Sequence, residues 1–91
     1  MKDLNNKVID VIFKESGVDV RTKSRIRHVI EYRNMYFYIM KKLDPKMPLR
    51  CIGETVGKNH ATVLHGMKMY QIFERYNPLL PKVKNRVFDA F

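Results

Sequence analysis

The stretch from about Ile26 to Leu43 constrains this chain more than any other feature. It is nearly continuous in helix-compatible residues, and Val29, Ile30, Met35, Tyr36, Phe37, Tyr38, Ile39 and Met40 leave almost no polar face in its middle. A helix that is apolar all round needs other elements about it, so this one is expected to be the buried centre of a domain. Asp44-Pro45 ends it, because proline has no N–H to donate and disfavours a helical residue before it. With 91 residues, 45% of them apolar, the chain has room for one domain over residues 1–91 and one modest core.

The segments on either side supply what can surround that helix. Leu4, Val8, Val11 and Ile12 recur at spacings of three and four, with Asp3 available as N-cap and Gly17 as a stop, so a first amphipathic helix is expected from about Asp3 to Ser16. The basic segment Val18 to Arg27 reads equally as a loop or as a short helix capped by Thr22 or Ser24. After the central helix, Pro48 suits the opening of a brief helix from Leu49 to Val56. Gly57 then gives a turn, and Asn59 caps a longer helix from His60 to about Tyr76. Short helix, tight turn and longer helix make a helix-turn-helix over about residues 48–76. Asn77-Pro78 stops the longer helix, and Leu80, Val83, Val87 and Phe91 form a last stripe, with Pro81 the expected start of a closing helix. The expected fold is all-α, with five to six helices around the central one.

Charge points to the class of partner. Eighteen Lys and Arg stand against nine Asp and Glu, a net charge of +9, so the expected partner is a polyanion: nucleic acid or an anionic membrane surface. No acid lies between Asp19 and Glu31, where Arg21, Lys23, Arg25 and Arg27 sit, and none between Glu54 and Glu74. The apolar residues are needed to close the core and Trp is absent, which argues against a membrane-surface helix. No run approaches the ~20 apolar residues of a membrane span, and no apolar signal-peptide core opens the chain. The lone Cys51 forms no internal disulfide and suits a small buried residue, so a cytoplasmic location is expected.

Catalytic and metal motifs are missing. Gly53 to Asn59 has three residues between its glycines where a phosphate-binding P-loop has four, and Asn59 stands where Ser or Thr would hold magnesium. His60 and His65 are five apart rather than the four that places two zinc ligands on one helical face. Ser16, Ser24, Thr62 and Cys51 have no catalytic context. No enzyme activity, cofactor or metal is expected.

A specific pattern lies between Pro48 and Gly66: Pro-Leu-Arg-Cys-Ile-Gly-Glu-Thr-Val-Gly-Lys-Asn-His-Ala-Thr-Val-Leu-His-Gly. It resembles the signature of the C-terminal, origin-recognising domain of the bacterial replication initiator DnaA, a Trp-repressor-like helix-turn-helix. Upstream, Arg33-Asn34-Met35-Tyr36-Phe37-Tyr38-Ile39-Met40-Lys41-Lys42-Leu43 is similar to that family's Arg-Gln-Ile-Ala-Met-Tyr-Leu-Ala-Arg-Glu-Leu helix, and the likeness runs over roughly Val8 to Ile72. The pattern also makes physical sense by itself. Gly53 allows close approach of the two helices, Gly57 makes the turn, and Asn59 with the helix N-terminus offers donors to phosphate or base edges. On a helical wheel Val63, Met67 and Tyr70 share a packing face, while Thr62, His65 and Met69 share one that faces a major groove.

The resemblance implies that Lys58, Asn59, His60, Ala61 and Thr62 form the turn that reads bases and clamps phosphate. Leu49, Arg50 and Lys41 would flank the same duplex, Arg25, Arg27 and Arg33 would lie toward the backbone or adjacent minor groove, and Lys68 would add a phosphate contact. The chain also departs from the family. Glu31 stands where the family carries an arginine, with repulsion of phosphate and a narrower footprint expected; Asn59 replaces an acid, Ala61 a hydroxyl residue, and one glycine before Lys58 is missing. Asn pairs bidentately with adenine where an acid accepts from cytosine, so an altered sequence preference is expected. The expected function is sequence-specific binding of double-stranded DNA, in replication initiation or its regulation. The alternative is a non-catalytic module that keeps the fold and binds a replication or regulatory protein through Tyr32, Tyr36, Tyr38 and Phe73. Buried aromatics with a continuous basic face around Lys58 would favour DNA; exposed aromatics would favour protein.

Overall fold

The computed structural model describes residues 2–91 as five α-helices joined by short connections. α1 runs Lys2–Ser16, α2 Arg27–Leu43, α3 Leu49–Glu54, α4 His60–Tyr76 and α5 Leu79–Asp89. α2 packs against each of the other helices, as its apolar circumference requires. Met35, Tyr36, Phe37, Ile39 and Met40 are fully buried, in one core with Val8, Ile9 and Ile12 of α1, Ile52 of α3, Val63 and Tyr70 of α4, and Leu80 and Val87 of α5. Among the described residues no helix is long and apolar enough to cross a membrane.

Local chemistry sets the ends of the elements. The Asp44 N–H donates to the Met40 carbonyl at 2.9 Å and closes α2 just before Pro45. Gly17 and Gly57 take positive φ angles of 75° and 70°, which glycine adopts without a Cβ penalty. Two boundaries differ from expectation. The short helix stops at Glu54, two residues early, because the N–H groups of Val56 and Lys58 both turn back to the Gly53 carbonyl. The closing helix begins at Leu79 rather than after Pro81: Asn77 Oδ1 accepts the Leu79 N–H at 3.1 Å, and Pro81 sits in the first turn, where helical N–H groups have no partner in any case.

The segment between α1 and α2 is a loop. The Asp19 side chain accepts the Arg21 N–H at 2.9 Å, its carbonyl accepts the Thr22 N–H at 3.2 Å, and Val20 is fully buried beneath them. Cys51, expected to be buried, is half-buried.

Candidate nucleic-acid interface

The helix-turn-helix is held by contacts that leave one surface free. Gly53 carries α3 against the turn: a Cβ there would collide with the Lys58 carbonyl and come within 2.9 Å of Val63 Cγ2. The buried Tyr36 hydroxyl donates to the Ile52 carbonyl at 3.0 Å and ties α3 to the central helix. Gly66 sets α4 on α2, where a Cβ would stand 2.5 Å from Asn34 Oδ1 and 2.7 Å from Phe37 Cδ2. With Val63, Gly66 and Tyr70 buried, α4 turns His60, Ala61, Thr62, Leu64, His65 and Lys68 outward.

The start of α4 is built for anions. Asn59 caps it, its Oδ1 accepting the Thr62 N–H at 2.9 Å, and the helix dipole adds partial positive charge there. The α1–α2 loop brings further cations to the same place: Arg21, Lys23 and Arg25 line an open cleft of about 380 Å³ together with Gly57 and Lys58. Arg21 is neutralised by Asp10 at 3.6 Å and Asp19 at 3.9 Å, whereas Lys23, Arg25 and Lys58 pair with no carboxylate among the described residues. Lys23 was not singled out as a site residue from the sequence; the acid-free run around it was the available signal. His65, identified only by its helical face, lies exposed beside Thr62.

Other expected contacts fall elsewhere. Arg33 is 6% exposed, and its guanidinium donates to the carbonyls of Val20, Thr22 and Ser24. It anchors the basic loop from inside instead of reaching a DNA backbone or minor groove. Burial lowers its pKa from the usual guanidinium value without removing its charge. The Lys41 ammonium donates to the carbonyls of Pro45 at 2.7 Å and Met47 at 3.1 Å, which engages it in the α2–α3 connection. Leu49 is half-buried, and Arg50 is exposed and paired with Glu54 at 3.8 Å. Arg27 is exposed, paired with Glu31 at 3.5 Å, with its guanidinium 6.0 Å from the Phe73 ring centre.

Glu31 corrects a further expectation. It is 6% exposed, and its carboxylate accepts from Asn77 Nδ2 at 3.4 Å, so it ties α2 to the α4–α5 junction rather than repelling phosphate at the surface. The aromatic residues set aside for a protein partner are withdrawn too: Tyr32 and Tyr36 are buried, Tyr38 and Phe73 half-buried. Tyr38 packs on Tyr70 at 5.1 Å between ring centres, and the Lys84 ammonium, bound to Glu74 at 2.6 Å, lies 5.4 Å from the Tyr38 ring.

The family model described as bacterial dnaA protein helix-turn-helix matches residues 6–69. The chromosomal replication initiator protein DnaA of Campylobacter concisus (strain 13826) is 24% identical over 87 residues, which cover 88% of this chain and 20% of that protein. The protein of the same name from Campylobacter curvus (strain 525.92) is 25% identical over 87 residues, with the same coverage of each chain. The chain thus spans about a fifth of the length of the curated relatives it matches. No solved structure matches it.

Proposed function

The chain belongs to the bacterial DnaA helix-turn-helix family, and from that premise we propose that it is a single-unit, sequence-specific binding module for double-stranded DNA that acts in replication initiation or its regulation. The observation that carries this reading is the convergence of Lys23, Arg25 and Lys58, all without acidic partners among the described residues, on the capped and exposed N-terminus of α4. In this reading Lys58, Lys23 and Arg25 hold phosphates and Lys68 adds a contact further along α4. Asn59, His60, Ala61 and Thr62 meet base edges in the major groove. Arg27 and Arg50 sit at the rim, and Lys41, Leu49 and Arg33 support the frame. The module needs no catalysis or cofactor, and a cytoplasmic site suits its partner.

The burial of Tyr32 and Tyr36 supports DNA over a protein partner, because two of the four aromatic residues that partner would grip lie in the core and the other two are half-buried. Fluorescence anisotropy with a labelled duplex over a salt series tests the reading. The log–log slope of affinity against salt is expected at roughly −4 to −7, as for about five to eight neutralised phosphates. Lys58→Ala should weaken binding on every sequence and flatten that slope by about one. A salt-independent affinity, or none at low salt, would refute the proposal.

A further inference from the structure

Beside the crossing of α2 and α4 at Gly66 lies an open cleft of about 340 Å³, within the range of small-molecule pockets, whose apolar walls duplex binding leaves without a role. Ile30, Phe37, Met69 and Phe73 line it with apolar surface. Asn34 lines it too; it is 7% exposed, and its carboxamide makes no hydrogen bond with the other described residues. That carboxamide is open to a ligand, since it both donates and accepts. Arg25, Lys58 and the loop-anchoring Arg33 complete the lining with positive charge, and no carboxylate among the described residues contributes to it.

We infer that this cleft binds one nucleotide, its base against the apolar walls, the base edge read by Asn34 and the phosphate held by Arg25 and Lys58. The combination selects the ligand class. A fatty carboxylate would use the walls and the cations but leave the Asn34 amide unpaired. A nucleobase uses the flat apolar surface, the amide and, through its phosphate, the cations. Thr62 and His65 also line the cleft. The nucleotide is therefore either free in solution or an unpaired residue of the DNA bound beside it, and only the second source rests on the duplex-binding reading.

The test is a nuclear magnetic resonance titration of the full chain with each deoxynucleoside 5′-monophosphate and with deoxyribose 5-phosphate. In parallel, affinities are measured for a fully paired duplex and for one carrying a single unpaired nucleotide. At least one mononucleotide should shift the Asn34 side-chain amide and the Ile30 and Met69 methyl resonances, and deoxyribose 5-phosphate should not. Asn34→Ala should weaken that binding by roughly five- to tenfold, as for one lost hydrogen bond. Ile30→Trp, a change at a half-exposed position that fills the cleft, should abolish it and leave paired-duplex affinity intact. Preference for the bulged duplex that both variants remove would identify DNA as the source; mononucleotide binding without that preference would identify free nucleotide. Equal shifts from deoxyribose 5-phosphate, or nucleotide binding indifferent to both variants, would overturn the inference. Failure on paired duplex alone would sink the duplex-binding reading while the titration still decides the cleft.

Discussion

Asn59 holds its helix and stands in the proposed reading turn at once, since its carboxamide accepts the Thr62 N–H at 2.9 Å while the residue stays exposed. Asn59→Ala should cost about 1 kcal/mol of stability, as measured by denaturant unfolding, from loss of the cap. Asn59→Asp keeps an acceptor there and adds a charge that favours a helix N-terminus, so it should preserve stability while shifting base preference from adenine toward cytosine. Arg33 separates charge from location in the opposite way. Arg33→Met should lower stability by about 2–4 kcal/mol, because it removes a charged donor from three loop carbonyls. Lys23→Gln should instead weaken duplex binding with an unchanged melting temperature. The cap was legible because it is a local pattern of residue types. Arg33 and Glu31 were not, because a charge in sequence carries no sign of whether its partner is solvent, phosphate or a carbonyl far along the chain.

At the scale of elements, the α2–α4 contact sets how far α4, the proposed reading helix, stands from the body. Gly66→Ala improves helix propensity by about 1 kcal/mol, yet its Cβ would press on Asn34 and on the fully buried Phe37. A net loss of about 1–2 kcal/mol is expected in thermal or denaturant unfolding, and a gain would show that α4 slides freely on α2. The helices themselves were legible from periodicity and from Pro48, Gly57, Asn59 and Asn77, each of which acts on its own backbone. The start of α5 was misread because Pro81 is as compatible with the third position of a helix as with its first, and Asn77 decides between them. The α1–α2 loop was undecidable because its order comes from Val20 in the core and from Arg33, 13 residues further along the chain.

At the scale of the whole molecule, three of the five tyrosines, Tyr32, Tyr36 and Tyr70, are buried in the core. Burial raises the pKa of Tyr32, Tyr36 and Tyr70 above the usual value of 10.0, with Glu74 adding to the shift at Tyr70 and Glu31 at Tyr32. A raised folded-state pKa means that the unfolded chain loses its protons first. Their contribution is thus complete below about pH 10 and is lost as the pH climbs from there toward the folded values. Melting temperature should fall steeply above that pH, and the tyrosinate absorbance of Tyr32, Tyr36 and Tyr70 should rise only with loss of helix; titration of all five tyrosines in a still-folded chain would contradict the burial of these three.

The same body carries a net charge of +9, and Arg21, Lys23, Arg25 and Lys58 gather where the basic loop meets the helix-turn-helix, the feature the sequence announced most plainly through its two acid-free runs. Which of those cations stand free was decided by tertiary pairing. The central claim is that this surface reads duplex sequence from the first turn of α4. Selection of bound sequences from a random duplex library at near-physiological salt, with the unaltered chain and with His60→Ala, tests it most directly. The account predicts an enriched motif for the unaltered chain that fades in His60→Ala while non-specific affinity persists; no enrichment from the folded chain, or a motif indifferent to His60, would contradict it.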